Sequence, residues 1–220
     1  MHRISIIALL IAAGCTTTYQ PVTSFAVEPQ INVPKTAAPT DLTLGVRPLE
    51  YGRPYRQPVA YRDKGLILGT FDKFEWAELP RDIVTRALID AITATRTFQD
   101  VGLAPLMARP NLLLTGQLRK FDLDRTADTW NAHIEVSLSL RPALGTEAVW
   151  SGVLDATAPL ATNDVAALPE AMSQAVANIA TQAATAIAAA KLPQSETPEF
   201  QPAPSRTTAT PHSQETSTSP

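Results

Sequence analysis

Trp130-Asn131-Ala132-His133-Ile134-Glu135-Val136-Ser137-Leu138-Ser139-Leu140-Arg141 alternates apolar and polar side chains along its whole length. A period of two marks a strand, because successive side chains point to opposite faces. Trp130, Ala132, Ile134, Val136, Leu138 and Leu140 form a dry face, and Asn131, His133, Glu135, Ser137, Ser139 and Arg141 a wet one. One dry face and one wet face imply an antiparallel sheet covered on a single side.

The neighbouring segments supply the rest of such a sheet. Residues 111–121 place Leu112, Leu114 and Leu118 opposite Gln117 and Arg119, and residues 148–156 place Trp150, Gly152 and Leu154 on one face. Leu42, Leu44 and Val46 alternate with Thr43, Gly45 and Arg47, which predicts a half-buried strand. Val59 and Tyr61 begin another strand, which turns at Asp63-Lys64-Gly65 and returns through Leu66, Ile67 and Leu68, since glycine permits the backbone angle of a hairpin turn.

Two segments carry a helical period instead. Ile83, Val84, Ala87, Leu88, Ala91 and Ile92 recur on one face of residues 79–97, with Arg81, Asp82, Arg86 and Asp90 opposite and Pro80 suited to the first turn. A second helix starts near Pro169, with Leu168, Met172, Ala175, Ile179, Ala183 and either Ala186 or Ile187 along its stripe. The expected class is α+β: an antiparallel sheet over residues 41–190 with two amphipathic helices packed on one side.

The termini read differently. Residues 15–40 are rich in Thr, Pro, Val and Ala without periodicity and suit a tether. Over 191–220 Pro, Ser and Thr dominate and Phe200 is the only aromatic, so this tail has little apolar surface to offset ordering entropy and is predicted to be disordered. Residues 1–14 form a leader: Met1, His2 and Arg3, then an apolar run over 4–13, then Gly14. That run is about half of the roughly 20 residues a membrane-spanning helix requires, so a cleaved signal peptide is expected.

The only cysteine of the 220 residues, Cys15, stands directly after this leader. Ile11-Ala12-Ala13-Gly14-Cys15 resembles the lipobox at which bacterial lipoproteins are acylated and cut, with Ala12 where Leu is usual. The resemblance implies a diacylglyceryl group on the Cys15 thiol, with acyl chains such as palmitate holding the protein to a membrane. One chain binds marginally, while two or more anchor stably. Thr16 follows the cysteine in place of the Asp that retains such proteins at the inner membrane of enteric bacteria. Delivery to the outer membrane, facing the periplasm, is therefore expected.

Composition narrows the chemistry. With Cys15 acylated, no disulfide or thiolate metal site remains. The three histidines are His2 in the leader, His212 in the tail and His133 on the wet face of the alternating strand, too few for a zinc cluster. A net charge of -3 gives no basic footprint for nucleic acid. Gly-x-Ser-x-Gly and the glycine-rich phosphate loop are absent. Asp122 and Asp124 share a strand face but stand among Arg119, Lys120 and Arg125 without a calcium loop, so they read as solvated charges. No catalytic residue, metal site or cofactor is expected. Phe71, Phe74 and Trp76, just ahead of the first helix, read either as packing at the sheet-to-helix corner or as an exposed patch for a partner or a lipid.

Four features carry a family resemblance: Arg56-Gln57-Pro58-Val59-Ala60-Tyr61-Arg62 in an early strand, Phe74-Glu75-Trp76-Ala77-Glu78 opening a helix, Leu118-Arg119-Lys120-Phe121 closing a strand, and the Ala-rich final helix ending at Ile187. Together they resemble the ABC-type transport auxiliary lipoproteins, with Leu79-Pro80 reversing the more usual order. The resemblance implies a periplasmic domain tethered to the outer membrane. It implies as partners the inner-membrane subunits of a Mce-type ABC transporter that moves phospholipid or other hydrophobic molecules. It leaves homo-oligomer formation open and carries no active-site residues. The competing expectation is an envelope assembly or structural lipoprotein, such as a peptidoglycan-synthase activator or a secretion-pore component.

Cys15→Ser is expected to abolish incorporation of an alkyne-tagged fatty acid, since no other residue can form the thioether. Undiminished label on the variant would remove the lipoprotein reading.

Overall fold

The computed structural model describes residues 21–36, 39–64 and 66–193. Among the described residues nine strands and two α-helices follow in the order β1 (Thr23–Phe25), β2 (Thr43–Val46), β3 (Glu50–Tyr51), β4 (Pro58–Asp63), β5 (Ile67–Trp76), α1 (Pro80–Thr95), β6 (Asp100–Leu103), β7 (Leu112–Asp124), β8 (Asn131–Pro142), β9 (Trp150–Pro159) and α2 (Leu168–Ala188). The alternating segment is β8. Ala132, Ile134, Val136, Leu138 and Leu140 are buried, and the residues between them are partly exposed. It pairs antiparallel with β7 on one edge and β9 on the other.

The α+β class holds, but the sheet is mixed rather than wholly antiparallel. The second edge of β7 is shared by β2, β3 and β4, all parallel to it. β2 continues to β6 in parallel, β4 continues to β5 as an antiparallel hairpin, and β5 ends against β1 in parallel. Parallel neighbours need a crossover between them, and α1 supplies it between the β4–β5 hairpin and the later strands. Periodicity reports which face of a strand is buried, not its direction.

Burial of β2 is deeper than its alternation suggests. Leu44, Gly45 and Val46 are all buried, because parallel strands flank both edges and Ala104 and Pro110 cover the other face. A Cβ on Gly45 would lie 2.9 Å from Pro110 Cγ and 3.0 Å from Ala104 Cβ, so the close approach needs glycine.

In β7 a bulge between Leu118 and Lys120 inserts one extra residue. An inserted residue reverses the in-out phase. Leu112, Leu114 and Leu118 face the core before it, and Phe121 and Leu123 face the core after it. The helices close the core. Their buried faces match the predicted stripes, α1 through Ile83, Val84, Ala87, Leu88, Ala91 and Ile92, and α2 through Leu168, Met172, Ala175, Ile179, Ala183 and Ile187. α2 packs on β8 and β9 and against α1. Pro80 occupies the first turn of α1, and Arg96, at φ 58°, ends the helix just short of the predicted boundary.

The domain begins earlier than residue 41. The Thr/Pro/Val/Ala-rich stretch expected to be tether contains β1, and Phe25 and Val27 are buried in the core. Backbone bonds from Thr36 N to Thr95 O (2.7 Å) and from Thr40 N to Thr97 O (2.8 Å) tie the following residues to the end of α1. A strand of three residues is too short to show a period, which is why composition alone read it as linker. The expected tail lies outside the described residues from 194 onward, and Leu192 still packs against the core. In the predicted hairpin turn, Lys64 has φ 46°, while Gly65 lies outside the described residues.

Trp76 closes β5 at 1% exposure, its ring set edge-on to Phe121 at 5.2 Å. Trp76→Ala is expected to destabilise the domain by about 3–5 kcal/mol through the cavity it leaves. Urea unfolding of the variant measures this, and a loss under about 1 kcal/mol would contradict the assignment of the ring to the core.

Candidate functional site

Of the residues singled out from the sequence, Cys15 lies outside the described residues, and Phe71, Phe74 and Trp76 are brought into one aromatic row. Phe25 of β1 stacks on Phe74 at 5.3 Å and lies 6.2 Å from Trp76. Phe71 meets Phe74 edge-on at 5.7 Å and Tyr61 of β4 at 4.8 Å. Trp76 is core, whereas Phe71 and Phe74 are half-buried against it. Phe25, which sequence reasoning missed, completes the row because the parallel register sets Phe25 beside Trp76.

A polar cluster lies at the same end of the sheet. Asp122 and Asp124 do not form a solvated pair. Asp122 is fully buried, and its Oδ2 accepts bonds from Arg62 Nη2 (2.8 Å) and the Tyr55 hydroxyl (3.1 Å). Asp124 turns outward and accepts from Thr126 N at 2.9 Å. The bulge sends Phe121 and Leu123 into the core and both acids to the opposite face, where Arg62 and Tyr55 cover Asp122 while Asp124 stands at the open end of the strand. Burial first, and the Asp122 charge second, push the Tyr55 hydroxyl up to about 12. For Arg62 burial opposes the charge, but the bond to and attraction of Asp122 outweigh it and raise the pKa. A buried carboxylate held by a tyrosine and an arginine fixes the register of β4 on β7.

Arg125 makes a second tie. It donates to both carboxylate oxygens of Asp63, at 2.9 and 2.7 Å, and lies over the Tyr61 ring at 4.1 Å and the Trp130 ring at 5.3 Å. His133 lies on the wet face but is largely covered, with Nε2 2.7 Å from Asp155 Oδ2 of the next strand. Among the described residues, no group of three or more His, Cys, Asp or Glu is placed to hold a metal, and no helix is long and apolar enough to cross a membrane.

The clefts are shallow and chemically plain. One of about 360 Å³ is bordered by Arg47, Glu50, Gln117, Ser139 and Arg141. Another of about 520 Å³ runs between α2 and β9, lined by the amides of Gln30, Asn32, Gln174, Asn178 and Gln182. A third, of about 300 Å³, is mostly apolar, with Pro48, Ile89 and Leu103 beside Thr85. His133 and Asp122, each engaged elsewhere, line none of the three.

This arrangement, a mixed sheet with two helices, coincides with a known family. The model of the ABC-type transport auxiliary lipoprotein component matches residues 27–184. The chain belongs to that family. The match opens two residues after β1, well before residue 41, in keeping with the burial of Phe25 and Val27. Among solved structures, a Xanthomonas campestris protein of the DUF330 family is similar at 21% identity and a TM-score of 0.67, covering 76% of this chain and 96% of its own. An uncharacterized protein is similar at 11% identity and a TM-score of 0.58, covering 75% of this chain and 99% of its own. Both likenesses concern the fold. Among the curated proteins none matches the chain.

Because the Tyr55 pKa is raised above its unfolded value, its contribution to stability is complete below pH 10 and is lost as pH rises toward 12. Two pKa units correspond to about 2–3 kcal/mol. Unfolding of the wild type between pH 9 and 12 should fall more steeply than that of Tyr55→Phe, and parallel curves would contradict this account.

Proposed function

We propose that this auxiliary lipoprotein is anchored through Cys15 in the outer membrane, faces the periplasm, and serves an inner-membrane ABC transporter of the Mce type that moves phospholipid or other hydrophobic molecules across the envelope. The observation that carries the reading is the family match, which spans almost the whole described domain. Cys15, directly after the leader, supplies the means of attachment.

The role is non-catalytic in this reading. The Asp122–Arg62–Tyr55 cluster serves as an internal tie between strands, and the work of the protein is docking and positioning. An auxiliary component of this kind needs a rigid domain held at a membrane.

Crosslinking in intact cells followed by purification of the tagged full-length chain tests the assignment. Permease, ATPase and Mce-type subunits should be recovered with it, and without crosslinking the chain itself should fractionate with the outer membrane. Recovery of peptidoglycan synthases or secretion-pore subunits in their place would overturn the transporter reading in favour of an assembly role.

A further inference from the structure

The tip of the β4–β5 hairpin presents Leu66, Ile67 and Leu68 in succession, at 93%, 55% and 37% exposure. Three consecutive exposed aliphatic residues on a convex tip have no cavity of this domain to fill, and such a patch marks an interaction site. The base of the hairpin is rigid. Arg125 holds Asp63 through two bonds, Arg62 holds Asp122, and Tyr61 packs between Phe71 and Arg125. The tip is therefore a fixed prominence on a braced support.

The occupant follows from where the chain enters the domain. β1 runs parallel to β5 with Thr23 opposite Phe74, so residues preceding Thr23 approach from the hairpin-tip end. From Phe74 back to Ile67 is seven residues, about 23 Å at the rise of a strand. From Cys15 to Thr23 is eight residues, a reach of at most about 27 Å. An anchor at Cys15 can thus stand level with the tip, and the two would meet the same surface.

We propose that Leu66, Ile67 and Leu68 insert into the outer part of the lipid leaflet that holds the acylated N-terminus, giving the domain a second contact and a fixed tilt on its membrane. The inference rests on the reading of Cys15 as acylated. Charge does not drive it. Lys64 borders the tip, but Arg125 is spent on Asp63, and Asp124 and Asp128 lie at the same end of the sheet. Zwitterionic lipid should therefore suffice.

Cys15 is the only cysteine, so in the acylated full-length chain Leu66→Cys adds the sole free thiol. An environment-sensitive fluorophore is placed there, and for comparison on Leu144→Cys, a fully exposed site beyond the opposite end of β8. In phosphatidylcholine vesicles containing nitroxide-labelled lipid, the probe at 66 should shift to the blue and be quenched several-fold more than the probe at 144. Adding Ile67→Ser and Leu68→Ser should reduce that quenching. Equal, weak quenching at both sites would overturn the proposal. A blue shift that appears without vesicles and grows with protein concentration would assign the tip to a second copy, and one that appears only with envelope proteins would assign it to a protein partner; either overturns it. Intact mass of the same sample reads acylation separately. An acylated chain with an unquenched tip defeats the insertion alone, and an unacylated chain with a quenched tip defeats the anchor alone.

Discussion

One inserted residue in β7 sets the terms for the rest of the molecule. The longest strand must satisfy β8 along one edge and three shorter strands along the other, and the bulge between Leu118 and Lys120 changes which face is dry partway along. Without that reversal Phe121 and Leu123 would leave the core, and Asp122 would enter it. Trp76 would then lose the ring it packs against. The aromatic row and the buried ion pair are thus two results of the same backbone irregularity, one on each face of the sheet.

The buried carboxylate has a corresponding cost. A desolvated charge is tolerated where opposite charge and hydrogen bonds surround it, and removing one member leaves the other stranded. Asp122 is held by groups from the segment before β4 and from β4 itself, so the interaction selects one register of that strand over its neighbours. Apolar contacts alone would discriminate poorly between registers two residues apart, since such slips preserve the dry face. The pair is better understood as a specificity device than as a source of net stability.

Much of this was legible in the sequence. β8 shows its period without interruption, both helices display their stripes, and Pro80 announces the start of α1. Each of these signals is local and repeats several times. What escaped was short or non-local. β1 and β3 are too brief to show a period, and β6 has only four residues. The parallel ladders depend on partners far apart in the chain. Asp122 looked like one of several charges at a strand end, because its partners Tyr55 and Arg62 are brought to it only by the β4–β7 pairing. A phase break between Leu118 and Phe121 was the one available hint.

The parallel docking of β1 on β5 also has a mechanical meaning. A pull transmitted through residues before Thr23 acts along the strand axis, away from Trp76. Such a load falls on the β1–β5 hydrogen bonds in shear, so they share it and must fail together. A load directed across the strand would instead open them one at a time. The stacked rings of Phe25 and Phe74 lie in the same interface and add friction to any sliding. The short first strand therefore works as a strain relief, isolating the folded core from whatever tugs on its leading end.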